Sequence, residues 1–261
     1  MLEAFTEVRK DIKFLFSSEI RLRVLMALMN GPMELSKMRS IIKSSSSTIL
    51  HAIYQLEDKG LVFRVNRKYE LSSTGRIISL KVQGIIRTIS VVRELSDFLL
   101  DHDMRSIPES LLYSIESLEG VSLLEAKPEN LTEPYEVVVK NVMNSGRVWI
   151  LSGVHHPFYG DLLKSGIKTE MILSGNVADA IEPVEDTENV KISTIDSELR
   201  FSLIITETAM ALSLFMSDGL YDPARFLFSR DEEAVGWAWK LFRHFRDMAE
   251  APADKGDCAV L

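Results

Sequence analysis

Residues 34–76 constrain this chain more than any other stretch. They read ELSKMRSIIKSSSSTILHAIYQLEDKGLVFRVNRKYELSSTGR, two helical segments separated by a serine run and followed by two strand-like segments. In residues 34–42, Leu35, Met38, Ile41 and Ile42 recur at helical spacing and face a core. Ser44, Ser45, Ser46 and Ser47 then end that helix and supply hydroxyls for the next, since a serine oxygen satisfies the orphan N–H groups of a first turn. The second helix runs to Lys59. Its Ile49, Ile53 and Leu56 fall at i, i+4 and i+7 as one buried stripe, which leaves Ser47, Thr48, Leu50, His51, Tyr54 and Gln55 on other faces. Gly60 is placed to stop the helix, and residues 61–65 and 68–71 read as two short strands around Asn66-Arg67. A helix-turn-helix with a two-stranded wing points to duplex DNA.

On that frame, Lys43 stands at the turn before the second helix, and Arg64, Arg67 and Lys68 stand on the wing, where phosphates pass. The plain alternative for each is a solvated surface charge. Ser45, Ser46, Ser47, Thr48 and His51 open the recognition helix and offer donors to phosphates or base edges, Leu50 offers an apolar contact to a thymine methyl, and Tyr54 is a further groove-facing residue. The recognition helix contains no arginine and no asparagine. Strong guanine readout is therefore not expected, and specificity falls partly to the wing and to DNA shape.

The net charge of -8 would by itself argue against a polyanionic partner. It hides a split. Residues 1–100 hold 16 Lys+Arg against 10 Asp+Glu, or +6, while residues 101–261 hold 14 against 28, or -14. A basic module joined to an acidic one is what a DNA-binding domain with a separate sensing or assembly domain needs. At 261 residues and 46% hydrophobic, the chain is long enough for two such domains. Its longest apolar runs, 201–205 and 209–216, fall far short of the roughly 20 residues of a membrane helix. The first residues lack a basic stretch followed by an apolar one, so no secretory signal is read and a cytoplasmic location is expected, with no membrane partner. The single cysteine, Cys258, excludes an intrachain disulfide and a cysteine metal cluster.

The remaining chain divides by pattern. Residues 17–30 form an amphipathic helix with Ile20, Val24, Leu25 and Leu28 inward, ended by Gly31-Pro32. After the wing, residues 75–101 read as one long helix with a wide apolar face, which either pairs two copies of the chain or packs within its own. From residue 108 the pattern changes. Residues 147–154, 169–173, 190–193, 201–206 and 209–215 read as strands, with helical spacing at 135–144, 157–165 and 232–248. The expected organisation is a winged helix-turn-helix domain at 1–75, a linker or dimerisation helix at 76–107, an α/β sensor or assembly domain at 108–250 and a disordered tail at 251–261. Trp149, Trp237, Trp239 and the phenylalanines read as core.

Four segments of the second part, LSDFLLDHDMRSIPESLLYSIESLEG at 95–120, SGVHHPFYGDLLKSGIKTEMIL at 152–173, LRFSLIITETAMALSLFMSDGLYD at 199–222 and EEAVGWAWKLFRHFRDMA at 232–249, follow the winged helix in order. With it they resemble archaeal winged-helix transcriptional regulators of the methanogenesis-regulatory type, in which an ArsR-like winged helix precedes a diverged phospholipase D-like domain. The resemblance covers nearly the whole chain and implies transcriptional regulation by an unnamed signal. The fold class it implies is an α+β winged helix-turn-helix domain plus an α/β mixed-sheet C-terminal domain that is phospholipase D-like and catalytically degenerate. Phospholipase D chemistry needs a His-x-Lys-x4-Asp set. Leu199, Phe201 and Thr206 occupy those three positions here, so the reading is not an enzyme and calls for no cofactor.

A loose constellation remains. His155, His156 and Tyr159 follow a predicted strand, and Asp218, Tyr221 and Asp222 lie in a glycine-containing loop after another. Ends of sheets are where α/β folds place ligands, so these six are ligand-binding candidates for a small-molecule effector, and the bland alternative is two loop histidines and a turn. Adjacent histidines in a strand diverge, so no metal site is expected. The sequence reading is a DNA-binding regulator acting as a homodimer on a palindromic operator. Its alternatives are a protein-docking scaffold and a residual phosphodiesterase.

Overall fold

The computed structural model describes residues 1–181 and 188–250; the expected disordered tail and Cys258 lie outside the described residues. The chain divides into two compact units, Met1–Arg87 and Thr88–Leu261, with the division inside a helix rather than at residues 75 and 107.

The first unit holds helices α1 (Leu2–Phe16), α2 (Glu19–Leu28), α3 (Leu35–Ile42) and α4 (Ser46–Asp58), strands β1 (Val62–Val65) and β2 (Lys68–Leu71), and the start of α5 (Ser73–Glu94). Its core is the set of apolar positions legible from periodicity: Val24, Leu25 and Leu28 of α2, Met38 and Ile42 of α3, and Ile49, Ile53 and Leu56 of α4. The serine run caps α4 as read, and a serine the sequence reading did not single out caps α2. Ser18 accepts from the N–H of Arg21 at 3.3 Å and Ser45 accepts from that of Thr48 at 3.1 Å. Strands β1 and β2 pair antiparallel with Val65 opposite Lys68, and the turn uses Asn66 at φ 56°, a left-handed value that asparagine tolerates.

Helix α1 has no counterpart in the sequence reading. Its Phe14 and Leu15 pack on the core, while Phe5, Val8, Ile12 and Phe16 stay exposed. Buried Arg21 ties it down: Nε donates to the carbonyl of Phe14 at 2.9 Å, Nη2 donates to the same carbonyl and to Ser17 Oγ, and Nη1 donates to Gln55 Oε1 at 2.7 Å. One cation thus joins three helices through uncharged acceptors, each a charge-assisted bond.

The second unit continues with α6 (Ser96–Asp101), α7 (Glu109–Leu112), a 3-10 turn (Ile115–Leu118), β3 (Ser122–Glu125), α8 (Glu133–Met143), β4 (Arg147–Ser152), α9 (Tyr159–Lys164), β5 (Lys168–Ser174), α10 (Gly175–Ala178), β6 (Val190–Ile195), β7 (Phe201–Thr206), β8 (Met210–Leu214), β9 (Arg225–Ser229) and α11 (Glu232–Glu250). The helix expected over 75–101 is broken: α5 stops at Glu94 and α6 restarts at Ser96, with Val91, Leu95 and Phe98 buried in the second unit's core. Strands β3 and β9 are short and lack alternation, which is why their sequences do not announce them.

The seven strands form one mixed sheet in the order β3-β9-β8-β7-β4-β5-β6. Strands β4, β5 and β6 are parallel, and the other neighbours are antiparallel. Alternation sends Trp149, Leu151, Phe201, Leu203, Ile205, Met210 and Leu212 to one face, covered by α11 through Trp237, Leu241, Phe242 and Phe245. It sends Val148, Ile150, Ile204 and Ala211 to the other, covered by Val138 and Val142 of α8 and Tyr159, Leu162 and Leu163 of α9. Trp237 is fully buried and donates its indole N–H to the Leu111 carbonyl at 3.0 Å. No described helix is long and apolar enough to cross a membrane.

Candidate functional site

The recognition face of the first unit is built on α4. Burial of Ile49, Ala52, Ile53 and Leu56 turns Ser47, Thr48, His51 and Tyr54 to solvent, while Ser46 and Leu50 are half-buried. Leu50 packs partly on the core, so its expected reach toward a base methyl is limited. The serines also serve one another. Ser45 Oγ lies 2.9 Å from Ser47 Oγ and 2.7 Å from Thr48 Oγ1, which shapes the first turn before anything is bound. His51 Nε2 lies 3.1 Å from Gln55 Nε2, and Gln55 is held in turn by Arg21, so the ring is oriented through the core.

Lys43 occupies the turn between α3 and α4 at φ 55°, a left-handed value. With Arg39, Ser44, Ser45 and Ser46 it lines an open recess of about 530 Å³. Two cations beside a helix N-terminus, whose partial positive charge adds to theirs, make a surface suited to a phosphate. The sequence reading missed Arg39; its cue was the i, i+4 spacing to Lys43 on α3. On the wing, Arg67 sits at the tip and Lys68 is exposed. Arg64 shares a face with Tyr69 and lies 5.5 Å from its ring, so its guanidinium rests on an aromatic support. Phe63 and Val65 point to the opposite face and remain exposed.

The second unit gathers only part of the expected constellation. His156, Tyr159 and Tyr221 come together; His155 is exposed beside them, with its ring 5.6 Å from that of Tyr159. Asp218 is exposed and accepts from the N–H of Leu220 at 2.9 Å, a turn-forming bond. Asp222 faces elsewhere, toward His102 Nε2 at 3.0 Å and Arg225 Nε at 2.6 Å. Burial alone would raise the Asp222 carboxyl, but Arg225 above all, with the Ala224 N–H and His102, holds it below its usual range. His102 is buried, stacked on Phe98, with Nδ1 2.6 Å from the Phe98 carbonyl, and Arg225 reaches on to Asp101 at 2.7 Å. This ionic cluster staples α6 to the loop before β9.

What the sequence reading missed is a row of serines. Ser152 on β4 pairs with Ser202 on β7, which pairs with Ser213 on β8, and all three are shut off from solvent. They continue the face that carries Ile150, Ile204 and Ala211 one row below. His156 Nε2 lies 2.9 Å from Ser202 Oγ, Tyr221 OH lies 2.7 Å from Ser213 Oγ, and Ser152 Oγ donates to the Val154 carbonyl at 2.8 Å. The Tyr159 hydroxyl lies near Ser152 and Ser202 yet is buried with no hydrogen bond of good geometry. Burial pulls His156 down to about 4, so the ring is neutral at pH 7, and burial pushes the Tyr159 and Tyr221 hydroxyls up, so they keep their protons. The rings of Tyr135, Phe158 and Phe226 stand around His156 at tilted angles. A cue existed: serines at inward positions of strands otherwise apolar.

His156 and Ser202 form a base–hydroxyl pair, but His156 Nδ1 has no orienting acceptor among the described residues. Leu199 and Phe201, at the positions of a phosphodiesterase histidine and lysine, are buried in the α11-facing core, and Thr206 is bonded to Asn141 and to its own turn. Among the described residues no three His, Cys, Asp or Glu side chains are grouped to hold a metal.

Residues 9–90 match the family model described as the N-terminal domain of the methanogenesis regulatory protein FilR1, and residues 131–248 match the model of its middle domain. Both matched regions are thus similar to successive domains of one regulatory protein. A curated relative, the methanogenesis regulatory protein FilR1 of Methanothrix harundinacea (strain 6Ac), is 24% identical over 264 residues, which is 95% of this chain. The chain spans 59% of that relative's length. Among solved structures, TrmBL2, titled an archaeal chromatin protein, aligns with 13% identity over 89% of this chain and 94% of that one at a TM-score of 0.40. The transcriptional repressor BigR from Xylella fastidiosa aligns with 20% identity over 33% of this chain and 88% of its own, at 0.29. The boundary between the two FilR1 matches leaves α6, α7 and β3 between them, so the His102–Asp222 staple joins the intervening segment to residues 131–248.

Proposed function

We propose that this chain is a sequence-specific DNA-binding transcriptional regulator, in keeping with the FilR1 family's name. It reads duplex DNA with α4 and the wing and responds to a small molecule bound by the second unit. The observation that carries the DNA reading is the exposed start of α4, with Ser47, Thr48, His51 and Tyr54 presented beside the Arg39–Lys43 recess and the Arg67–Lys68 wing. The phospholipase D-like ancestry of the second unit is part of the same reading, with the chemistry given up and the fold kept for binding.

The chain acts as a homodimer. Ile85, Ile89 and Val92 stand at i, i+4 and i+7 on α5 and are exposed, a seam suited to a second α5. Two-fold symmetry then calls for a palindromic operator. The test is fluorescence anisotropy on duplexes from upstream of the coding region, at two salt concentrations with unrelated competitor DNA. Tight binding that survives competitor supports the reading. Arg67→Glu should weaken all sequences alike and lower the salt slope by about 1, the signature of a lost phosphate contact. No binding beyond competitor, on these duplexes or on selected random DNA, would favour a second reading, in which exposed Phe63 and Val65 dock the wing on another protein.

A further inference from the structure

We propose that the serine row of the second unit, with His156, Tyr159 and Tyr221, is a binding site for an uncharged small molecule that presents hydrogen-bonding groups on an aromatic or apolar body. This rests on the effector-sensing reading above and names the chemistry of the effector.

A buried sheet face needs apolar side chains at its inward positions, and a hydroxyl placed there costs free energy unless bonded. Here three inward positions on three adjacent strands are serine, in register and with no more than 1% exposure. They are met from above by side chains of two other segments: His156 and Tyr159 from the β4–α9 connection and the start of α9, and Tyr221 from the turn after β8. The hydroxyl of Tyr159 is the outstanding member, wholly buried beside Ser152 and Ser202 with no hydrogen bond of good geometry to either. A buried polar atom without a partner is a rarity that requires an explanation, and a ligand group arriving beside it supplies one. Tyr221 is the partly exposed member and marks the way in.

The chemistry of the guest follows from the absence of charge in the bonds of the cluster. Ser152, Ser202, Ser213, His156 and Tyr221 bond only to backbone, hydroxyl or neutral imidazole groups. Asp222, next to Tyr221 in sequence, is spent on His102 and Arg225. An ion brought here would lose its hydration with no counter-ion to replace it, whereas hydroxyls that donate and accept suit an amide or alcohol. The walls of Tyr135, Phe158 and Phe226 suit a flat apolar body.

Three near-isosteric probes, benzamide, benzoate and benzamidine, differ in charge and in donor and acceptor pattern, the neutral amide alone both donating and accepting, and test this on the full chain at pH 7. The readouts are saturation-transfer NMR and the Cε1–H resonance of His156. The expected result is that millimolar benzamide binds and shifts the His156 resonance, while benzoate and benzamidine do so at least about tenfold more weakly. Tyr159→Phe and, separately, Ser213→Ala should each weaken benzamide by about tenfold, the size of one buried hydrogen bond. Each variant's fold is checked by its DNA binding and circular dichroism. A His156 resonance unmoved by benzamide, equal binding of the charged probes, or full affinity in both folded variants overturns the proposal. The effector reading fails separately, if benzamide occupies the site and DNA affinity does not change.

Discussion

His156 is neutral because it is buried, and that neutrality has a stability consequence. Its folded pKa of about 4 lies below the ordinary value of 6.5, so between those limits the unfolded chain holds the extra proton. Stability is then fully present above pH 6.5 and is lost as pH falls toward 4, by up to about 3 kcal/mol at 1.36 kcal/mol per unit. Denaturant titrations at pH 7 and pH 4.5 should show the loss, and His156→Gln should flatten it; an equally steep slope in the variant would assign the acid sensitivity elsewhere. Tyr159 predicts the opposite of the usual core mutation. Its hydroxyl is buried with no hydrogen bond of good geometry, so Tyr159→Phe removes a poorly compensated polar atom and should stabilise the ligand-free protein by about 1 kcal/mol, seen as a raised urea midpoint.

Among elements, the start of α5 is the least forgiving. Gly75 approaches Leu61 so closely that a Cβ added there would stand 1.9 Å from the Leu61 carbonyl oxygen, and Ser72 Oγ caps the N–H of Gly75 at 2.9 Å. Gly75→Ala must push α5 away from the strand entry and should cost about 2 kcal/mol, the range of an overpacked core site. Thermal unfolding reads this directly, and an unchanged midpoint would mean that α5 shifts freely. The break at Leu95 shows a second element-scale effect. Local propensity favours one continuous helix over 75–101, yet burying Leu95 and Phe98 wins, because propensity differences are tenths of a kcal/mol per residue and a buried Leu or Phe is worth about 1.5–3 kcal/mol.

At the scale of the whole molecule the apolar seam of α5 is an exposed surface suited to a partner. If α5 pairs with a second α5, Ile89→Asp should place a charge in the seam and convert a dimer to a monomer in sedimentation velocity without lowering the helix content. A wild-type monomer at micromolar concentration would sink the homodimer reading and the palindromic operator with it. The charge asymmetry belongs to this scale too. If the proposed DNA reading holds, the basic first hundred residues meet the polyanion while the acidic remainder is repelled by it, and binding should depend steeply on salt.

The sequence by itself determined whatever depends on neighbours along the chain. The cap at Ser45, the inward stripe of α4, the wing turn at Asn66 and the apolar strands β4, β5, β7 and β8 are all local patterns with their punctuation, and they were legible before any contact was known. Only the tertiary structure decided what depends on register and on partners far apart in the chain. Ser152, Ser202 and Ser213 are 50 and 11 residues apart, and pairing between strands is what makes them one row. The same holds for Asp222, which the sequence placed with His156 and the fold gave to His102, 120 residues away. Side-chain alternation fixes which face a residue takes, but strand order and register select its neighbours there, and these are set by burial summed over the whole sheet.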